Sequence, residues 1–129
     1  MSNKLTCLAA LCALFAMVGS VDAQELGAGK VLFEYWDGIG GTSVDSNLRT
    51  AAGFPDNPTS SEWRGAFQSP ANRADNYGLR ARAYVIPPES GEYTFWVAGD
   101  DNCQLWLSTN EDPANATMIA QVASWTGVA

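Results

Sequence analysis

The sequence predicts an all-β fold, a sandwich or barrel, and three observations carry that prediction. Leu79, Ala81, Ala83 and Val85 alternate with Arg80, Arg82 and Tyr84, which is the period of a half-buried strand. Tyr93, Phe95 and Val97, and then Cys103, Leu105 and Leu107, mark one face each of two further strands, joined by the polar run Gly99, Asp100, Asp101 and Asn102. The remaining punctuation is Pro, Gly, Asn and Asp, and no long helical period occurs after residue 23.

Element by element, the chain opens on a leader. Lys4 supplies a positive start, residues 5–18 are apolar but short for a bilayer span, and Val21-Asp22-Ala23 offers small residues where a signal peptidase reads. Residues 1–23 are therefore predicted to be a helical signal peptide cleaved after Ala23, with an uncleaved N-terminal anchor as the alternative. Cys12 follows Leu11 in mid-run, which argues against a lipid-attachment signal. Residues 24–29 are a short lead-in, and residues 30–129 form the domain. Val31 to Trp36 reads as the first strand, closed by Asp37-Gly38 and Gly40-Gly41. Residues 42–76 read as an irregular excursion with one helical turn near 45–50, pinned to the body by Phe54, Trp63 and Phe67. A loop of that length signals either function or a missed element. After the 79–85 strand, Pro87-Pro88-Glu89-Ser90-Gly91 turns the chain. The 93–98 and 103–108 strands form a hairpin, residues 110–115 a loop, and Met118 to Val122 the last strand.

The 129 residues carry seven basic and 14 acidic side chains, a net charge of −7, and no histidine. The leader removes one charge of each sign, Lys4 and Asp22. Such a balance argues against nucleic acid, which requires basic patches, and against anionic membrane surfaces. It suits hard cations or neutral ligands. With Cys7 and Cys12 in the leader, Cys103 has no partner for an internal disulfide and reads as a small half-buried residue. Without histidine, triads and histidine-bearing zinc sites are excluded, and no glycine loop cradles phosphate. Glu34 and Asp37 can be argued as a glycosidase pair, but acids flanking a strand end are common, and hydrolysis needs two carboxylates about 5–10 Å apart. The one pair that stands out, Asp100-Asp101, is adjacent, which suits a metal better than a bond-flanking dyad. The chain is expected to be non-catalytic.

Two readings of the acidic tip stand. Asp, Asn and Gly are ordinary turn residues, so the tip can be a solvated turn. Adjacent carboxylates also repel unless a cation or strong donors lie nearby, so the tip can be a metal site. Trp36, Trp63, Trp96, Trp106 and Trp125 offer surfaces on which sugars stack, but tryptophan in a small β domain is usually core, and none is assigned to a ligand. Arg80 and Arg82 share one strand face, where they line solvent or pair with acids. Asn115-Ala116-Thr117 is a glycosylation sequon.

Residues Tyr77-Gly78, Arg80, Tyr84, Pro87-Pro88, Gly91 to Ala98, Asp100-Asp101-Asn102 and Leu105 to Ser108 closely resemble the PA14 domain, and Glu34-Tyr35-Trp36 and Phe54-Pro55 fit it as well. The resemblance spans about residues 30–126. It implies an antiparallel β-sandwich or barrel and, where function is known in the family, carbohydrate recognition. In the carbohydrate-binding members a paired-Asp loop joined by a cis peptide holds calcium, and calcium binds sugar hydroxyls. Asp100 and Asp101 match that pair. Asn102 adds a side-chain oxygen to the ligand-binding set, in keeping with calcium's demand for six to eight oxygens. Two departures follow. The family's domain runs through further strands beyond Trp125, so the resemblance implies a domain incomplete at its C-terminus, with exposed strand edges. Cys103 also stands where a small polar residue is expected. The resulting expectation is a secreted, extracellular or periplasmic carbohydrate-binding module, without membrane insertion after signal cleavage. Its partners are a glycan or polysaccharide, calcium as cofactor, and further domains of a parent protein. The alternative is a truncated structural or interaction remnant of a larger surface protein or glycosidase.

Overall fold

The computed structural model describes residues 29–127. The predicted signal peptide and residues 24–28 of the lead-in lie outside the described residues. Among the described residues five strands form two antiparallel sheets, in keeping with the all-β prediction. Strands β1 (Val31–Asp37), β2 (Ser60–Arg64) and β3 (Tyr77–Arg82) build a three-stranded sheet in the order β2-β1-β3. Strands β4 (Cys103–Ser108) and β5 (Ala116–Val122) build a two-stranded one.

β1 is central in its sheet and buried on both faces, so residues 31–36 are all inaccessible despite the charge at Glu34. One face carries Val31, Phe33 and Tyr35, which pack with Ala83 and with the half-buried Tyr77, Leu79 and Ala81. Full burial of side chains of this size stabilises by about 1.5–3 kcal/mol each. The opposite face carries Leu32, Glu34 and Trp36, with Phe54 tilted against Trp36 at 5.0 Å between ring centroids. The Trp36 indole N–H is buried without a hydrogen-bond partner, the one such side-chain group among the described residues.

The long excursion contains an element that the sequence hides. β2 pairs with β1 from Val31↔Arg64 to Tyr35↔Ser60. Its residues, Ser-Ser-Glu-Trp-Arg, show no apolar alternation because β2 is an edge strand whose outer residues face water. The predicted helical turn is present as Val44–Leu48, with Ser43 as N-cap accepting from the Ser46 N–H at 3.1 Å. Of the three aromatic pins, Phe54 and Trp63 are half-buried, whereas Phe67 is 52% exposed and pins nothing. β3 starts two residues earlier than expected and ends at Arg82, although Ala83 remains core.

The expected hairpin of residues 93–98 with 103–108 does not form. β4 takes β5 as its ladder partner, from Cys103↔Val122 to Ser108↔Ala116, with an irregularity between Leu105 and Trp106. Residues 92–99 belong to no strand. Their burial still alternates: Phe95 and Val97 are half-buried, while Thr94, Trp96 and Ala98 are exposed. The expected face holds at Phe95 and Val97 but not at Tyr93, which is 41% exposed, and the expected pairing with β4 is absent among the described residues. β5 also begins two residues before the predicted Met118, after a short helical turn at Pro113–Asn115. Asp112 caps that turn by accepting from Ala114 N–H at 2.9 Å.

Residues 42–49 tie the two sheets together. Gln104 on β4 donates to Asp45 at 2.9 Å, the Trp106 indole donates to Gln104 at 3.0 Å, and the Arg49 guanidinium lies 4.8 Å over the Trp106 ring. Arg49 also pairs with Asp45 at 3.2 Å. On the other side of this turn, Leu48 packs over the buried Gly78 of β3, where a Cβ would run into the Leu48 side chain. Among the described residues, no helix is long and apolar enough to cross a membrane.

Candidate functional site

The acidic tip, Gly99 to Asn102, is fastened on two sides rather than hung from a hairpin. On one side Asp100 forms an antiparallel bridge with Trp125, and Thr126 N–H donates to the Gly99 carbonyl at 2.8 Å. The Gly99 N–H in turn donates to Thr126 Oγ1 at 3.2 Å. On the other side Asn102 N–H donates to the Thr42 carbonyl at 3.3 Å. The Asn102 side chain is engaged at both ends: Oδ1 accepts from Val44 N–H at 3.1 Å, and Nδ2 donates to the Val122 carbonyl at 2.6 Å. The oxygen assigned to ligand by the sequence thus already serves the fold. Gly99 is required by close approach, since a Cβ there would lie 2.6 Å from Cys103 Sγ.

The Asp100–Asp101 peptide is cis, and both residues are exposed. The Asp101 carboxyl is held above the ordinary carboxylate range, first by lost hydration and then by the charge and hydrogen bonding of the Asp100 carboxyl beside it. A carboxyl whose proton affinity is raised by an acid beside it is local chemistry that a hard cation relieves. The two acids supply only part of calcium's oxygen set. Among the described residues no group of three or more His, Cys, Asp or Glu side chains could hold a metal ion. Were an ion held by this pair alone, water would have to complete its shell.

The neighbouring thiol is not reactive chemistry. Cys103 is half-buried, and burial pushes its pKa up, against a smaller lowering by a hydrogen bond with the Val122 backbone. Glu34 and Asp37 do not form a catalytic pair, because they lie on opposite faces of β1. Glu34, 5% exposed, accepts from Arg80 at 2.8 and 3.1 Å and from Arg82 at 2.9 and 3.0 Å. Asp37 accepts from Arg73 at 2.6 Å, which holds its carboxyl below the usual range. Of the two roles open to Arg80 and Arg82, the structure selects pairing. Each is mostly buried, and Arg80 additionally donates to the Pro55 carbonyl at 2.8 Å and stacks 5.3 Å from the Trp36 ring centroid. The tip's anchors at Thr42, Val44, Trp125 and Thr126 had no sequence signal, since each contact joins segments more than 20 residues apart.

A comparison with family models decides the resemblance. Residues 55–111 match the PA14 domain. The match covers part of that domain and takes in β2, β3, the acidic tip and β4. Two curated relatives show local similarity to this PA14-like chain. The mouse N-acetyl-beta-glucosaminyl-glycoprotein 4-beta-N-acetylgalactosaminyltransferase 1 is 44% identical over 55 residues, 40% of this chain and 5% of that protein. Fibrocystin of the dog is 30% identical over 46 residues, 36% of this chain and 1% of that protein. The chain thus spans at most a twentieth of the length of either relative. No solved structure matches.

Proposed function

We propose that this chain is a secreted, non-catalytic carbohydrate-binding module in which Asp100 and Asp101 hold calcium, and calcium receives hydroxyl groups of a glycan. One observation carries the reading: the two carboxyls are juxtaposed at an exposed tip whose backbone is fastened to residues 42–44 and 122–126. A tip held in this way presents its oxygens without paying to order them on binding. The PA14 match includes the tip, and one relative's name places that protein in glycan chemistry.

Trp125 is a built-in reporter, being bridged to Asp100 and 65% exposed. Calcium titration is expected to change tryptophan emission saturably, and Asp101→Ala to remove the response. A glycan-affinity column should then retain the chain in calcium and release it in chelator. A flat titration, or one identical in Asp101→Ala, removes the metal from this reading.

A second reading is favoured by a separate observation. Residues 84–98 take part in no backbone–backbone hydrogen bond among the described residues, while Ile86 and Trp96 are 71% and 86% exposed. Unpaired backbone beside exposed apolar side chains is a template for another strand. On this reading the chain is an interaction element of a larger protein, without binding activity of its own.

A further inference from the structure

The far end of the three-stranded sheet carries a concavity that neither reading uses. It is a solvent-open hollow of about 300 Å³, lined by Trp63, Arg64, Gly65, Ala66 and Gln68, where β2 ends and the chain bends away. Arg64 pairs with Val31 at the start of β1, whereas the acidic tip is fastened to residues that follow the end of β1 at Asp37. The length of β1, about 20 Å, separates the two ends. A ligand here would therefore not share an ion with Asp100 and Asp101.

We propose that this concavity is a second, metal-independent subsite that takes one neutral pyranose. The proposal rests on the carbohydrate reading above and adds to it a place and a selectivity. The volume lies at the small end of ligand sites, which suits one ring rather than an oligosaccharide. Trp63 is half-buried, and its indole makes no hydrogen bond among the described residues, so both an apolar face and a free donor are available. Gly65 keeps the wall low, and the exposed Gln68 brings a carboxamide with two donors and an acceptor to the rim.

Charge selects the ligand class. The Arg64 guanidinium donates through Nε to the Gln68 carbonyl at 3.1 Å and through Nη1 to Glu62 at 3.2 Å. Glu62 also accepts from the Tyr35 hydroxyl at 2.6 Å; that bond, with the single bond and charge of Arg64 and against lost hydration, holds its carboxyl below the ordinary range. The cation is thus already matched by an anion at the same site. What remains is Nη2, a donor suited to a hydroxyl, with no unbalanced positive charge to recruit a carboxylate or sulfate.

The test uses the purified chain in chelator, with neutral methyl pyranosides of the gluco, galacto, manno and N-acetylglucosamine series as probes and methyl glucuronide as the charged comparison. Saturable shifts of the Trp63 indole N–H resonance are expected with at least one neutral sugar, and weaker ones with the glucuronide. Gly65→Val should reduce the affinity at least tenfold by filling the concavity. An added Cβ at Gly65 meets nothing within 4 Å and the backbone there is not left-handed, so the fold should be kept, as an unchanged Tm would show. Asp101→Ala should leave these shifts intact. The subsite is overturned by the absence of a saturable shift at Trp63, by an affinity that Gly65→Val does not change, or by preference for the glucuronide. Calcium-dependent retention on glycan that survives Gly65→Val would then leave the tip reading standing alone. Loss of retention in Asp101→Ala with intact Trp63 shifts is the outcome expected of two separate sites.

Discussion

Glu34 is the residue on which this fold most visibly depends. Its carboxylate is buried between two guanidiniums, and each arginine is held by two hydrogen bonds from Nε and Nη2. Burying charge is costly unless every charge is paired, so removing the shared anion is worse than removing the whole triad. Glu34→Gln is expected to destabilise by about 3–5 kcal/mol in urea unfolding, because it leaves Arg80 and Arg82 facing each other across a low-dielectric layer. Replacement of all three residues by apolar side chains of like volume should cost much less. Equal losses in the two variants would mean that the triad acts only by filling space. Tyr35, on the other face of β1, makes a separate and pH-dependent contribution. Its phenol is pushed up to about 12 from 10.0, chiefly by burial and then by the hydrogen bond and charge of Glu62. A folded-state pKa above the unfolded one means that the native chain holds the proton more tightly. The associated stability is therefore fully present below pH 10 and is lost as pH rises from 10 through 12, by at most about 3 kcal/mol. In Tyr35→Phe that part of the alkaline decline should vanish, which paired denaturation curves of the two proteins across this window will read.

Between elements, the decisive contact is the helical turn Val44–Leu48 resting on β3. Gly78 leaves the space that Leu48 fills, and a Cβ there would also come within 3.3 Å of Ile39 Cδ1. Gly78→Ala is therefore expected to cost about 1–3 kcal/mol by overpacking. Leu48→Ala alone should cost about 2–5 kcal/mol as a cavity. The double variant should fall short of the sum of the two, since each change makes room for the other, and a double-mutant cycle measures that coupling. Additive losses would mean that the turn does not rest on Gly78. Such a contact also shows what the sequence can and cannot say. The strands with a strong local pattern, Val31 to Asp37, Tyr77 to Arg82 and Cys103 to Ser108, were legible because alternation or continuous apolarity needs no knowledge of partners. β2 was not, because an edge strand with serines facing water carries no such pattern. The pairing of β4 was misassigned because proximity in sequence favours the 93–98 run, whereas the ladder was taken by residues beyond the 110–115 loop. At the tip, the adjacent acids were legible as residues. The second role of Asn102, as a clamp between Val44 and Val122, was not, since it depends on which distant backbone comes near.

At the scale of the molecule, protection is unevenly distributed, and both functional readings use that unevenness. β1 is hydrogen-bonded on both sides and buried on both faces, and segment 42–49 with Asn102 carries its order across to β4 and β5. Residues 84–98 lie between these ordered parts without ladder bonds among the described residues, yet Phe95 and Val97 are half-buried. Amides in such a run open without breaking any hydrogen bond, whereas those of β1 open only with the sheet. Native-state hydrogen exchange should therefore show amides 84–98 exchanging about two orders of magnitude or more faster than those of residues 32–36. Calcium, acting at Asp100 and Asp101 immediately beyond this run, should slow exchange at 97–102 and leave 84–92 unchanged if the tip is a self-sufficient site. Slowing that appears along the whole of 84–98 only when a second polypeptide is added would instead mark the run as a surface for strand addition. Uniformly slow exchange in the isolated chain, equal to that of β1, would mean that these amides have found acceptors, and the interaction reading would then lose the observation it stands on.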